Sequence, residues 1–183
     1  NRLVMITCFG GELMFDPSVF ENLKVIVEGA FYDLDLEGEL AVIDRHDYVD
    51  LAYMSRIFEI STRLNASNEK TVECTFTLSA GLQSFSSEKL SPKTKRDPGC
   101  ELKLTFRYIN PDHPLRKIHI LKQIWDKGYQ YRVFKHTPIG FKHEDSFVTI
   151  EIKQEKPVYE DEMEQLHTYV SHIHHILKTE DRH

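Results

Sequence analysis

The stretch FEISTRLNASNEKTVECTFTL, residues 58–78, decides the fold class. Phe58, Ile60, Thr62 and Leu64 occupy alternate positions, and so do Val72, Cys74, Phe76 and Leu78. A period of two puts each set on one side of an extended strand. Between them, Asn65-Ala66-Ser67-Asn68-Glu69-Lys70 has the composition of a turn, so the two runs are expected to pair as an antiparallel hairpin. The same alternation returns downstream. Leu102, Leu104, Phe106 and Tyr108 interleave with Glu101, Lys103, Thr105 and Arg107, the pattern of a half-buried strand with a charged outer face.

Asn110-Pro111-Asp112-His113-Pro114 stops that strand, because proline cannot donate to a ladder. Ile118, Ile120 and Ile124 are expected to begin the next strand, with a turn at Asp126-Lys127-Gly128 and a return through Tyr129, Tyr131 and Val133. Val148, Ile150 and Ile152 form the last strand before Pro157. Upstream, Asp16-Pro17 has the form of a helix N-cap followed by proline in the first turn. Val19, Leu23, Ile26 and Ala30 would line one face of that helix, which is expected to end near Gly29. Leu34, Leu36, Leu40 and Val42 around Glu37-Gly38 then suggest a second hairpin.

From Glu160 the period becomes helical. Tyr159, Met163, Leu166, Val170, Ile173 and Leu177 recur at steps of three and four and share one stripe. Acidic residues from Glu160 to Glu164 crowd the first turns, while Lys178 and Arg182 close the end, and both ends suit the helix dipole. The expected fold is α+β: a mainly antiparallel sheet with an N-terminal helix and a long C-terminal amphipathic helix packed on it. A polar segment at 86–99, with two prolines and no apolar period, reads as an exposed loop that could separate two lobes of a single 1–183 domain.

Composition narrows the function classes. Of 183 residues, 40% are hydrophobic and 28% charged, which excludes wholesale disorder. A net charge of −6 argues against a chain whose main task is coating nucleic acid. No apolar run nears the roughly 20 residues a membrane helix needs, so no membrane partner is expected. Three cysteines, Cys8, Cys74 and Cys100, have no CxxC spacing, and thiols suit a reducing compartment. The expectation is an intracellular protein, with cytoplasm and nucleus not distinguished.

Chemistry-bearing groups are few. His167, His172, His174 and His175 cluster on the terminal helix. On a helical wheel, His167 and His174 flank the apolar stripe, and His172 and His175 lie on the wet side. Zinc helices place two histidines four apart, and no pair here has that spacing. His172 and His175, three apart, are the alternative metal pair, but the expectation is no metal and no cofactor. The strand Ser146–Lys153 carries Glu151 and Lys153 on one face and precedes a helix, which resembles the third core strand of the PD-(D/E)xK nucleases. The resemblance implies a metal-holding acid at Glu151 and a water-steadying lysine at Lys153. It also requires a second acid, for which Asp145 is too near and Asp126 already serves a turn.

Lys89, Lys93, Lys95 and Arg96 form a basic cluster in the 86–99 segment, which makes nucleic acid an alternative partner. Phe31-Tyr32-Asp33-Leu34, Gly38, Ile43-Asp44 and Val49-Asp50-Leu51, following a helix, are similar to the opening of sliding-clamp subunits over about fifty residues. The long loop and terminal helix depart from that fold, and no function follows from it. With no reactive set converging, the leading expectation is a non-catalytic interaction or assembly subunit of an intracellular complex. Its partner would be another protein, contacted through Tyr129 and Tyr131 as exposed aromatic positions. The alternatives are the metal-dependent nuclease using Glu151 and Lys153, and nucleic-acid contact through the loop at 89–96.

Overall fold

Apolar side chains at alternate positions can all be buried only if their strands line up beneath a common cover, and among the described residues that cover is three helices. The structure, a computed structural model, describes residues 18–65, 72–81, 99–109, 113–139 and 146–180. In chain order they form α1 (Ser18–Leu36), β1 (Leu40–Asp50), β2 (Ser55–Leu64), β3 (Glu73–Ala80), β4 (Glu101–Ile109), α2 (Pro114–Ile124), β5 (Tyr129–His136) and β6 (Phe147–Gln154). A single 3-10 turn, Glu160–Glu162, leads into α3 (Met163–Glu180). The strands make one six-stranded sheet in the order β1-β2-β3-β4-β6-β5, antiparallel at every step. The α+β expectation holds.

The inward face of the sheet is the one the alternation marks. Phe58 and Ile60, Phe76 and Leu78, Leu104 and Phe106, and Ile150 and Ile152 are all buried. Above them, α1 supplies Phe20, Leu23, Val27 and Phe31, α3 supplies Leu166, Val170, Ile173 and Leu177, and Leu121 and Trp125 come from α2 and its C-cap. Phe31 meets Phe76 edge-on, with centroids 6.1 Å apart. Thr62 is fully buried, and its hydroxyl donates to the Ala41 carbonyl at 3.1 Å, so no polar group is stranded there. Among the described residues no helix covers the opposite face of the sheet.

The hairpin at 58–78 forms in the expected register, with Thr62 opposite Cys74 and Phe58 opposite Leu78. Its turn residues 66–71 lie outside the described residues. So do residues 86–98 of the polar segment, although the strands on either side of it, β3 and β4, pair directly from Glu73↔Arg107 to Ser79↔Glu101. The sheet is therefore continuous across that segment. Among the described residues no helix is long and apolar enough to cross a membrane.

Three local readings are overturned. Ile118, Ile120 and Ile124 do not begin a strand; they lie in helix α2. β-branched residues favour strands only weakly, and here burial of Leu121 and Trp125 at helical spacing outweighs that preference. Pro114, read as the end of a strand, starts the helix in its first turn. The connection from β4 through α2 to β5 is thus a crossover. β4 and β5 run in the same direction, with β6 between them.

Nor does α1 end near Gly29. Phe31, fully buried, continues the stripe of Leu23 and Val27 beyond that glycine, and this packing offsets the roughly 1 kcal/mol that glycine costs inside a helix. The helix stops at Gly38 instead, where φ is +74°. The Glu39 N–H returns to the Leu34 carbonyl and the Gly38 N–H to the Asp35 carbonyl, both at 3.0 Å, which is the Schellman arrangement. Leu34 and Leu36 therefore belong to the helix, and Leu40 opens β1, whose partner is β2.

Candidate interaction surface

A cluster of exposed apolar side chains gathers at the β1–β2 hairpin. β1 is an outer strand of the sheet, and 11 residues long. At its turn Leu51 is 80% exposed and Tyr53 77%, flanked by exposed Tyr48, Val49 and Met54. The turn is held locally. Asp50 Oδ1 accepts hydrogen bonds from the backbone N–H groups of Ala52 at 2.9 Å and Tyr53 at 3.1 Å. Met54 takes a left-handed conformation, φ 50°, which side chains other than glycine adopt at a cost.

Below the turn, an ionic network fastens the hairpin to α1. Lys24 Nζ bridges Glu21 at 2.7 Å and Asp47 at 2.9 Å. The Arg56 guanidinium grips Asp47 with Nε at 3.2 Å and Nη2 at 3.1 Å, pairs with Glu21, and lies 5.0 Å over the Phe20 ring. Burial alone would raise the Asp47 carboxyl, but the hydrogen bonds from Arg56 and Lys24 outweigh it and hold the group below its ordinary value. The apolar turn is therefore a presented feature on a braced stem. The run from Val49 to Met54 signalled it: five apolar or aromatic residues, interrupted only by Asp50, cross a turn that contains neither glycine nor proline.

Tyr129 and Tyr131 are not the exposed aromatics the alternation suggested. Both face the helices and are half-buried. Tyr129 shares a 2.5 Å hydrogen bond with Tyr169, whose hydroxyl also donates to Gln154 at 2.5 Å, and the Tyr131 hydroxyl donates to the Trp125 carbonyl. Burial pushes the Tyr131 phenol up to about 12. The strand pattern correctly put the two rings on one face, but α2 and α3 cover that face at β5.

Glu151 and Lys153 stand on the open face of β6, beside a shallow concavity of about 400 Å³. The strand neighbours of Glu151 are Thr105 and Arg132, so no second carboxylate sits opposite it. Lys153 is opposite Lys103 and pairs with Glu101 at 2.8 Å. Among the described residues no three histidine, cysteine or acidic side chains come close enough to hold a metal ion.

His174 and His175 lie where the wheel puts them, at the edge of the stripe and on the wet side, whereas His167 and His172 do not. His167 and His175 are exposed, whereas His172 and His174 are half-buried. The wheel assumed one neighbour, the sheet, but α3 also abuts α2. The edge of His172 packs on Trp125, with centroids 6.0 Å apart, and desolvation followed by the nearby His175 lowers its pKa. His174 Nε2 is 3.2 Å from Glu39, which also pairs with Lys178. Lys89, Lys93, Lys95 and Arg96 lie outside the described residues. Comparison with protein-family models, with curated proteins and with solved structures finds no match to this chain.

Proposed function

We propose that the chain is a non-catalytic interaction module, an assembly subunit that engages another protein through the β1–β2 hairpin. The observation that carries this reading is the exposed apolar turn, Leu51 and Tyr53 above all, on a stem braced by Asp47, Lys24 and Arg56. A contiguous exposed apolar patch on a rigid support is the usual mark of a protein interface. The outer edge of β1 adds backbone groups that a partner strand can pair with. Residence inside the cell fits Cys74, which is a buried thiol and not half of a disulfide.

The nuclease reading through Glu151 and Lys153 has less support, because the strand-paired neighbours of Glu151, Thr105 and Arg132, are not carboxylates and Lys153 is occupied by Glu101. Contact with nucleic acid through Lys89, Lys93, Lys95 and Arg96 predicts salt-sensitive binding that neutralising those side chains abolishes.

The test is affinity purification from the native cell with the wild-type chain and with the double substitution Leu51→Ser/Tyr53→Ser, followed by quantitative mass spectrometry. One or more partners should be recovered with the wild type and lost with the variant, at unchanged melting temperature. Identical partner sets for both chains would refute the hairpin as the interface. Divalent-ion-dependent cleavage of DNA or RNA that disappears with Glu151→Ala would refute the non-catalytic reading.

A further inference from the structure

On the helical layer, α2 and α3 flank a groove of about 250 Å³. Ile120, Ile124 and Ile176 give it an apolar lining, and Arg116 and Lys117 a cationic one beside the His175 imidazole, with no carboxylate among the residues that line it. That is unusual in a chain with 29 acidic and 23 basic residues. Helix α2 itself carries Arg116, Lys117 and Lys122 and no acid. Lys117 is taken up by Glu180, but Arg116 has no ion-pair partner among the described residues.

We propose that this groove docks an acidic amphipathic segment of a partner protein, which seats one or two apolar side chains against the isoleucines and sets carboxylates against Arg116 and His175. Charge complementarity selects the sign of the occupant. Size selects its kind, since sites for whole small molecules run from roughly 300 to 1,000 Å³ and this one is smaller. An anionic membrane fits less well. Membrane recruitment generally draws on clusters of roughly four to eight lysines and arginines, and this groove is lined by two. The groove lies away from the β1–β2 hairpin: α2 follows β4 and packs Trp125 on Phe106, while β1 is the far edge of the sheet. The inference does not depend on the hairpin reading.

The experiment is selection of a random peptide display library on the purified chain, with fluorescence titration of the enriched peptides. The peptides should carry aspartate or glutamate around leucine, isoleucine or an aromatic residue, and bind more weakly as salt is raised. Ile120→Glu should weaken them by at least about tenfold. Arg116→Glu, at an exposed position that does not threaten folding, should weaken them by roughly fivefold. Leu51→Ser/Tyr53→Ser should leave them unchanged. No enrichment, enrichment without acidic bias, or affinities indifferent to both groove variants overturns the proposal. So does binding to phosphatidylserine vesicles in the absence of peptide binding.

Discussion

Lys117 and Glu180 offer a sharp test of how the helical layer is held together. Glu180, on the last turn of α3, has a side chain only 2% exposed, and its carboxylate receives the ammonium of Lys117 from α2, which is 21% exposed. The same ammonium lies 5.7 Å over the Tyr108 ring. Lys117→Met keeps the aliphatic stem and removes the charge, which leaves a carboxylate buried without its counter-ion. Breaking a buried pair in this way costs about 3–5 kcal/mol, and the partial exposure of Lys117 places the expectation near the lower end, about 3 kcal/mol. With a urea m-value of about 2 kcal/mol per molar, the unfolding midpoint should fall by about 1.5 M.

The companion variant decides the cause. Lys117→Met/Glu180→Leu removes both charges and fills the space with apolar atoms. Replacements of that kind are often neutral or stabilising by about 1–4 kcal/mol, so its midpoint should return to the wild-type value or exceed it. Equilibrium urea unfolding followed by circular dichroism measures both. A loss below about 0.5 kcal/mol for the single variant would show that the pair is solvated like a surface pair. A double variant as unstable as the single one would show that the cost came from packing and not from a stranded charge.

Three further outcomes are expected. The Tyr108 hydroxyl is buried with no hydrogen-bond partner among the described residues, so Tyr108→Phe should leave stability unchanged or raise it by up to about 1 kcal/mol, read from the melting temperature. His172 is held below the ordinary imidazole value of 6.5, so the unfolded chain binds more protons than the folded one just below that pH. Stability should therefore fall as pH drops from 6.5 toward the lowered folded value, and His172→Gln should flatten that part of the profile. At Gly29 an added Cβ meets nothing within 4 Å, so Gly29→Ala should stabilise α1 by about 0.5–1 kcal/mol, whereas Gly38→Ala, at φ +74°, should destabilise by about 1 kcal/mol in the same melting assay.

The sheet was legible wherever one face is buried and the other wet, because that contrast imprints the alternation on the residues themselves. Leu102 to Tyr108 and Phe58 to Leu64 show it plainly. The terminal helix was legible for the same reason at a period near 3.6. Helix α2 was not, because its isoleucines face the sheet only in part and satisfy either period. Only the docking of Leu121 and Trp125 decides between them. The C-terminal end of α1 was misplaced because a glycine inside a helix looks like a cap until the burial of Phe31 is known. Of the candidate sites, Glu151 and Lys153 fall together on the open face, as alternation requires. The exposure of Tyr129 and Tyr131 could not be read, since it depends on which helices cross above β5. The hairpin turn was overlooked because apolar residues in a turn carry no period at all.

The placement of β6 has a consequence for biosynthesis. Of the six strands described, β6 comes latest in the chain yet fits between β4 and β5, so one edge of β4 and the whole of β5 stay unpaired until β6 has been made. Until then a nascent chain holds a four-stranded ribbon with a bare flank at β4 and an orphaned β5. Such flanks readily recruit a second copy. A product terminated before Phe147 should accumulate in inclusion bodies, while one that retains β6 and α3 stays dispersed.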